Sequence, residues 1–576
     1  MPGARWVLSI CCLIVPATVR PQLPRGDSLR ALNEARSAQN RFERARRASL
    51  PRVGETASQE CETVIGRMCH WQEDESVERR PEIGAIVRAR LSLIATLGKL
   101  NAVAPRDDWI AGERVRYMIE AGEDSAAVAA ARSCAPPRWY CDALRGYAFH
   151  SSQRYGDAAA AFDSALARMP AAERCRWNDI SMLLGDDERD RYAALQCGQR
   201  DSVEQRFWEL AQPSFVVPAN DRRTEHYSRV LLADLAQDAT NAYGIPWGPD
   251  MRELLIRYGE PLWYSVVWPG PYTTFQTPVG HDRIPSFHFA ATAYGDSVRW
   301  DAHAQSARER YAPAYIDTLA PLDAQFAMMK RGDSALVVAV YSDTNSGHAV
   351  LGVSGIGSDS TATPARQERV RRARAGWKGM MVAMETFDPE RRRDARAREW
   401  LAPPRRASGA PDLSTLLLFS ADTSASVESL DDALAHALAS GELRGTRRLG
   451  LYWEEYGAAK QDSSSVPLAP AIDADSQSVD TSGVASVATE DSSSVLVTVA
   501  RTDGGALRWI AQALHITGRD SPLAVRWHDT RTSSGIASHS VVLDLAQLPA
   551  GTYRVSVTVG ADSTRRTEIS REIRLR

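Results

Sequence analysis

The apolar residues of this chain change their period about halfway along it, from the period of helices to that of strands. Between residues 60 and about 241 they recur every three or four positions, as in residues 83–100, which predicts amphipathic helices. From Asp333 onward the period is two, and clusters of Gly, Asp and Ser bound the short apolar runs, which predicts β-strands. We therefore expect an α+β protein of several domains.

One predicted helical hairpin, residues 139–170, has a specific pattern of small, aromatic and proline residues. The pattern consists of Gly146, Phe149, Tyr155, Ala158, Phe162, Ala165 and Pro170. It resembles a tetratricopeptide repeat, in which small residues let two helices cross closely and aromatic residues fill the space between hairpins. The resemblance implies a helical array whose concave face binds a protein or peptide, and Arg145 and Tyr147 are the candidate binding side chains of that groove.

The N-terminal residues favour export. Arg5 precedes an apolar run at residues 6–15, and Pro16 and Ala17 follow it, in the order typical of a signal peptide. The run is shorter than the ~20 apolar residues of a membrane-spanning helix, and no later stretch approaches that length. We expect an exported protein of the bacterial periplasm or cell surface that is not an integral membrane protein. A peripheral association with the outer membrane stays open.

Six cysteines follow this segment, all in the first third of the chain. They are Cys61, Cys69, Cys134, Cys141, Cys175 and Cys197. An even number of cysteines in an exported chain predicts disulfides, and among the pairings that are formally open the pairing of neighbours (61–69, 134–141 and 175–197) is the simplest. The rival hypothesis is a zinc site, but no CxxC spacing occurs and only His70 lies close to a cysteine. We therefore predict no metal and no cofactor.

Residues 206–332 are rich in Trp and Tyr, and they contain a series of short stretches in a characteristic order. These stretches are Phe207-Trp208, Asn220-Asp221, Thr224-Glu225-His226-Tyr227-Ser228-Arg229-Val230, Ala233-Asp234, Trp247-Gly248-Pro249-Asp250, Glu253 and Ile256-Arg257-Tyr258-Gly259-Glu260-Pro261. The segment resembles the GWxTD-domain proteins, an exported bacterial family whose function is not established. Trp247-Gly248-Pro249-Asp250 stands where that family has Gly-Trp-x-Thr-Asp. The resemblance covers about sixty residues. It implies that the chain is related to this family, but it does not indicate a chemical reaction.

The predicted strands form two groups, separated by a segment rich in Ser, Asp, Ala and Val. The strands are predicted at residues 334–341, 348–356, 380–387, 413–419, 449–453, 495–500, 507–511, 525–528, 541–545, 553–559 and 569–575, with a short helix at 430–439. The turn at residues 548–553 resembles the last hairpin of an immunoglobulin-like sandwich, which implies such a sandwich for the second group.

These patterns predict seven segments along the chain. The segments are a signal peptide (1–20), a charged leader (21–55), α-helical tetratricopeptide-like repeats with disulfides (56–205), the GWxTD-like segment (206–332), a β-rich domain (333–457), a Ser/Asp-rich linker (458–494) and an immunoglobulin-like β-sandwich (495–576). The leader has little apolar periodicity, so we expect it to be a solvated helix or a loose segment.

The charge of the chain argues against binding to nucleic acid. The 69 basic and 72 acidic residues give a net charge of −3. Strong binding to the phosphates of nucleic acid requires an excess of Lys and Arg. Arginine runs at residues 366–374 and 391–393 are expected to be solvated faces, on a loop and an exposed element. Contact of these runs with acidic envelope polymers is the alternative.

Catalytic motifs are scarce in this sequence. No HExxH, Walker or GxGxxG pattern occurs. The strongest catalytic candidates are His281, Asp282 and His288, in an aromatic setting with Trp263 and Tyr264, where they could line a small-molecule cleft or bind a sugar by stacking. The alternative, which the sequence favours, is an aromatic core with polar loop residues facing solvent.

The sequence as a whole favours an exported, non-catalytic scaffold or adaptor of the bacterial cell envelope, which binds an envelope protein or peptide through a helical-repeat groove. The alternative is an envelope hydrolase or carbohydrate-binding protein that uses the aromatic and histidine-containing segment around residues 263–288. Whether the chain is an enzyme stays open, with a non-catalytic role favoured. Convergence of His281, Asp282 and His288 in one pocket would favour the enzyme.

Overall fold

The computed structural model describes residues 25–53, 63–73, 81–267, 277–283, 311, 313–342, 348–353, 369–421, 427–445, 448–456, 492–502, 523–530, 535–560 and 564–576. The chain divides into two compact units: unit 1 comprises Met1–Asn178 and Thr224–Ile284, and unit 2 comprises Asp179–Arg223 and Pro285–Arg576. Helices and sheets both occur among the described residues, which confirms the α+β class. The predicted signal peptide, residues 1–20, lies outside the described residues.

The helices of the described ranges lie mostly in the first half of the chain. They are α1 (Arg25–Ala48), α2 (Gly84–Val103), α3 (Asp108–Glu120), α4 (Asp124–Arg132), α5 (Arg138–Ser151), α6 (Tyr155–Arg168), α7 (Ala171–Asn178), α8 (Asp186–Ala193), α9 (Cys197–Ala211), α10 (Asp221–Ala236), α11 (Pro249–Tyr258) and α12 (Leu430–Ala435), with a 3-10 helix at Ser181–Leu183. Each helix from α1 to α6 contacts the next one, so this part of unit 1 is built from helical hairpins. Across the ranges that the structure describes, no helix has both the length and the apolar character needed to cross a membrane.

Helix α1 packs into unit 1 along a stripe of small residues. Ala31, Ala35, Ala38 and Phe42 recur at spacings of three and four residues, and all four are buried. The helix contacts α2 and α3 through this side. The leader is thus a helix over α1, as one of the two expectations had it, but one side of this helix is buried and not solvated. The sequence contains little sign of this side, because alanines let helices approach closely while they contribute little to a hydrophobic pattern.

Helices α5 and α6 cross closely at Gly146. A Cβ atom built at Gly146 would lie 2.8 Å from ring carbons of Phe162, which is closer than real Cβ contacts. The Phe162 ring is buried at this crossing. The contact joins a small residue to an aromatic one, as the sequence pattern of this hairpin predicts.

Unit 1 also contains a five-stranded mixed sheet that the sequence did not predict. Its strands are β1 (Arg52–Val53), β2 (Thr63–Ile65), β3 (Met68–Glu73), β4 (Trp263–Val267) and β5 (Thr277–Arg283), in the order β1-β4-β5-β3-β2. Strands β4 and β5 are antiparallel, with Trp263 opposite His281, whereas β3 and β5 are parallel, with Trp71 opposite His281. The sheet therefore joins segments that are about 190 residues apart in the sequence.

The remaining strands belong to unit 2 and form four sheets. The strands are β6 (Thr318–Pro321), β7 (Asp323–Arg331), β8 (Ser334–Ser342), β9 (His348–Val353), β10 (Val370–Gly376), β11 (Met380–Asp388), β12 (Arg393–Leu401), β13 (Asp412–Leu413), β14 (Leu417–Ser420), β15 (Glu442–Leu443), β16 (Arg448–Tyr456), β17 (Ser492–Arg501), β18 (Leu523–Thr530), β19 (Ile536–Asp544), β20 (Gly551–Gly560) and β21 (Arg566–Leu575). The sheet orders are β10-β8-β7, β6-β12-β11-β9, β13-β16-β14 with β19 paired to β16, and β15-β21-β20-β17-β18.

In the described part of unit 2, the four sheets contribute to three large apolar cores. One strand can contribute to two cores, because its successive residues face opposite sides of the sheet. In β8, Val337 belongs to the core shared with β9, β11 and β12, whereas Val338 belongs to the core shared with β14, β16 and α12. In β16, Tyr452 belongs to this second core and Leu451 to the third, which is shared with β17, β20 and β21. Strands β8 and β16 are thus buried on both faces, which explains their nearly continuous apolar sequences.

Several predicted strands are confirmed, and others were missed. Strands predicted at residues 334–341, 380–387, 449–453 and 569–575 correspond to β8, β11, β16 and β21. The arginine run at residues 366–374 was expected on a loop, but its later part forms β10, in which Ala373 and Ala375 face a core. Residues 458–491 of the predicted linker (458–494) and the strand predicted at 507–511 lie outside the described residues. Strand β16, before that segment, pairs along its length with β19, after it.

Candidate functional site

The catalytic candidate His281 lies in the middle of the five-stranded sheet of unit 1. Its side chain is buried, its Nε2 atom is 2.6 Å from Ser265 Oγ, and its ring stacks on Trp263 at a centroid distance of 3.8 Å. Burial lowers the pKa of His281 to about 4, so the imidazole is neutral at neutral pH. The histidine is therefore enclosed between a serine hydroxyl and an indole ring.

The other two catalytic candidates are not placed with His281 in one described pocket. Asp282 follows His281 in β5, and its backbone pairs with Gln72 of β3. His288 lies outside the described residues. Of the three candidates, His281 is therefore the one whose side-chain contacts the structure describes.

The two candidate groove residues, Arg145 and Tyr147, lie on α5. The Tyr147 side chain is 6% exposed, and its burial raises the pKa of the phenol. The Arg145 guanidinium binds the buried carboxylate of Asp142, which also accepts a 2.6 Å hydrogen bond from Arg168 Nη1. The structure thus places the Tyr147 ring inside unit 1, and it uses Arg145 in a charge network between α5 and α6.

Helix α2 exposes an apolar stripe that the sequence analysis did not single out as a site. Ile83, which precedes the helix, and Val87 and Leu91, which lie on its next turns, are 51%, 40% and 43% exposed. Their spacing of four residues places them on one face. Ile86, Leu93 and other apolar residues of the helix are buried. The α2 stripe, defined by these three exposed residues, is an apolar surface on an otherwise packed hairpin.

The residues that stand in place of the GWxTD motif dock the β2–β3 hairpin onto α11. Asp250 accepts hydrogen bonds from Arg67 Nε and Arg67 Nη2, both 2.7 Å long, and from the Arg67 backbone nitrogen at 3.1 Å. These bonds to Arg67 hold the pKa of Asp250 below its usual value. Trp247 packs against the apolar cluster that includes Ile65 of β2 and Met251 of α11. The contacts of this motif are therefore structural, since they fix the β2–β3 hairpin to α11.

The most unusual group of side chains in unit 1 is a buried set of charged residues between α1 and α3. The Tyr117 hydroxyl donates a 2.7 Å hydrogen bond to Glu43 Oε1 and accepts a 3.0 Å bond from Gln39 Nε2. On the same helix as Tyr117, Glu113 lies 3.4 Å from Arg116 Nη1. Glu43 and Glu113 are 1% and 0% exposed. We call these side chains the carboxylate cluster, together with the four residues that ion pairs join to them, which are Arg46, Arg90, Glu120 and Glu260.

The carboxylate cluster was missed at the level of the sequence, although a signal for it exists. Glu43 falls in the stripe that contains Ala35, Ala38 and Phe42 of α1, so its position in the helical period predicts burial. Charged residues are almost never fully buried unless they are paired, which makes such a position a candidate functional or regulatory site.

The cysteine predictions are confirmed in part. Cys134 and Cys141 form a disulfide with an S–S distance of 2.09 Å, and Cys175 and Cys197 are also disulfide-bonded. The 134–141 pairing is the one expected for neighbours. Cys61 lies outside the described residues, so the predicted 61–69 pairing does too. Disulfide-bonded cysteines are compatible with an exported protein.

Neither a metal site in the described residues nor a related protein indicates a function for the groups described above. Over the described part of the chain, no group of three or more His, Cys, Asp or Glu side chains is arranged to hold a metal ion. A scan against protein-family models finds no match. A search of curated proteins also finds no matching sequence.

Proposed function

We propose that this chain is an exported, non-catalytic interaction scaffold of the bacterial cell envelope that binds an envelope protein or peptide through its N-terminal helices. We place it in the periplasm or at the cell surface and, on the stretches of α10 and α11 that match, in the GWxTD-domain family. The disulfide between Cys134 and Cys141 supports export, because such bonds persist in oxidising compartments and are rare in the cytosol.

The main support for binding through the N-terminal helices is the α2 stripe. Single exposed apolar residues are ordinary on protein surfaces, but Ile83, Val87 and Leu91 follow one another at successive turns of one face. A partner helix or extended segment with apolar side chains at a matching spacing would remove this surface from water. The packed interior of the hairpins holds the stripe in place before the partner arrives, which lowers the entropic cost of binding.

Two further geometries support the finer architecture that we propose. The close contact between Gly146 and Phe162 is the kind of small-to-aromatic crossing on which tetratricopeptide-like hairpins depend. The Tyr553 hydroxyl donates a 2.8 Å hydrogen bond to the carbonyl oxygen of Pro549, a few residues upstream, which resembles the tyrosine corner of immunoglobulin-like sandwiches. We therefore propose a tetratricopeptide-like array in unit 1 and an immunoglobulin-like sandwich at the C-terminal end of unit 2.

The hydrolase or carbohydrate-binding alternative has less support. A general base must reach its substrate and should have a pKa near the working pH. His281 is buried, is engaged by Ser265 and Trp263, and has a pKa lowered to about 4. These features suit a packing role better than proton transfer, so the non-catalytic function is favoured.

Aspartates placed in the α2 stripe should weaken binding without unfolding the helix. In the Val87→Asp/Leu91→Asp double variant, each carboxylate would have to be desolvated against an apolar partner, so we expect affinity to fall at least about tenfold. Both positions are exposed, so stability should change by no more than about 0.5 kcal/mol per site. The partner is first captured by the full chain from envelope extract of the producing bacterium, and its affinity for each variant is then measured.

The matched control adds the same charge elsewhere on α2. Ala85 and Ser92 are exposed positions on α2 and lie at least about 100° around the helix from Val87 and Leu91, so Ala85→Asp/Ser92→Asp should bind as the native chain does. Circular dichroism verifies that both double variants keep their helices. Equal affinities for the stripe variant and the native chain would refute the proposed surface, and failure to capture any protein or peptide would count against the scaffold function itself.

A further inference from the structure

The carboxylate cluster contains more acids than it has cations to balance them. Its carboxylates are those of Glu43, Glu113, Glu120 and Glu260, and its guanidinium groups are those of Arg46, Arg90 and Arg116. Arg90 is shared further, because it also binds Glu82 at 2.5 Å. If every acid were ionised, the cluster would have a net negative charge. Glu43 and Glu113 are almost completely shielded from water, so this charge would be poorly solvated.

The arginines lie closer to the outer acids than to the buried ones. Arg116 Nη2 is 2.7 Å from Glu260, whereas its Nη1 is 3.4 Å from Glu113. Arg46 likewise lies nearer to Glu120 than to Glu43, from which it is 3.6 Å away. Within the described residues, the Oε2 atoms of Glu43 and Glu113 are buried and have no hydrogen-bond partner. The two innermost carboxylates are thus the least compensated of the cluster.

We propose that Glu43 and Glu113 form a proton-binding site that holds α1 against α3 when it is protonated and loosens this packing when the proton is lost. The link between the helices is direct, because Tyr117 of α3 donates its hydroxyl hydrogen to Glu43 of α1 and accepts from Gln39 of α1. Glu113 lies one turn before Tyr117 on α3, and the charge of Glu43 helps to raise the pKa of Glu113.

The groups around the site agree with this role. The charged and titratable side chains that face it are Arg46 on α1, Arg90 on α2, Arg116, Tyr117 and Glu120 on α3, Tyr147 on α5, Glu260 after α11 and Tyr264 on β4. Burial raises the pKa of Glu113 to about 7, against the opposing charge of Arg116. Burial also raises the pKa of Glu43, against Arg46. The buried tyrosines keep their protons, because burial raises the pKa of Tyr117 further above its usual value.

The direction of the pH dependence follows from these shifts. A raised pKa in the folded state means that the folded chain binds the proton more tightly than the unfolded chain does. Between the ordinary glutamate pKa of 4.5 and the raised pKa of about 7, the unfolded chain has lost a proton that the folded chain keeps. The stabilisation of the α1–α3 packing is therefore complete below this window, decreases as the pH rises through it, and is lost above it.

Hydrogen exchange of α1 in the full chain tests this site. We expect the protection of α1 amides, corrected for intrinsic exchange rates, to fall at least about tenfold between about pH 5.5 and about pH 8 in the native chain, since one unit of pKa shift corresponds to a tenfold change. Glu113→Gln, which cannot ionise, should retain most of its protection at the higher pH. Glu34→Gln removes an exposed carboxylate of the same helix and should behave as the native chain.

A second measurement keeps the proposal testable if a variant folds poorly. Near neutral pH the infrared spectrum of the native chain should contain the carbonyl band of a protonated carboxylic acid, and this band should disappear at about pH 9, above the raised pKa. Absence of that band at neutral pH would overturn the proposal. So would equal loss of α1 protection with pH in the native chain and in Glu113→Gln, or no loss in the native chain.

Discussion

Replacing Glu385 with alanine should destabilise unit 2 by about 3–5 kcal/mol, because it removes the carboxylate that forms an ion pair with the buried guanidinium of Arg398. The side chains of Glu385 and Arg398 are 0% and 2% exposed and lie 2.8 Å apart. Glu385 also accepts hydrogen bonds from Ser214 Oγ at 3.0 Å and from the Phe215 backbone nitrogen at 2.5 Å. The substitution therefore removes the acceptor of three donors at once, and urea unfolding of the full chain measures the loss.

Two further variants separate this effect from a general intolerance of β11 and β12. Glu390→Ala removes an exposed glutamate from the turn between these strands and should change stability by no more than about 0.5 kcal/mol. Replacing Glu385 and Arg398 together by methionines should recover much of the loss, because neither partner is then left charged and unpaired. A loss below about 1 kcal/mol in Glu385→Ala would show that water or other groups compensate Arg398.

Replacing Trp177 with alanine should destabilise unit 1 by a similar amount, about 3–5 kcal/mol, through the cavity that it leaves. Trp177 is 1% exposed, packs edge-on against Trp139 at 6.1 Å and stacks on Tyr227 at 6.4 Å between ring centroids. Its carbonyl oxygen lies 3.3 Å from His226 Nε2. The effect would be measured by thermal unfolding, followed through hydrogen exchange of unit 1.

This variant also tests what the family-like residues of α10 do. His226 and Tyr227 belong to a stretch that resembles the GWxTD-domain proteins, and in unit 1 they pack on Trp177. Trp139→Ala is the control, because Trp139 is only partly buried and should cost less than half as much. Similar losses for both tryptophans would mean that the aromatic cluster tolerates a cavity at Trp177 and does not depend on this contact.

The strands of unit 2 could be predicted from the sequence because their signal is local. Strand β11 begins at Met380, as the period of two indicated, and the turn before it is marked by Gly376 and Gly379. The sequence could not indicate which elements cover the two faces of β8, because they include residues far along the chain. The same limit applies to β1, whose two residues pair with β4 more than 200 residues later.

The functional candidates could be predicted less well than the strands, since burial decides what a side chain can do. Tyr147 was assigned to a helical hairpin, but its neighbours in three dimensions place the ring in the interior. In the sequence, Glu43 is one of many acidic residues in a charged segment, and only the packing of α1 shows that it is buried. The α2 stripe was also missed, because Val87 and Leu91 look like core residues in a periodic sequence and only the structure leaves them exposed.

Photo-crosslinking in living cells tests whether the α2 stripe is the binding surface of a scaffold. A photoreactive amino acid is introduced at Val87 of the full-length chain in the producing bacterium, and at the exposed Ser92 of the same helix as the control. We expect a discrete adduct with an envelope protein or peptide at Val87 that is absent or much weaker at Ser92. No adduct at Val87, or the same set of adducts at both positions, would contradict it.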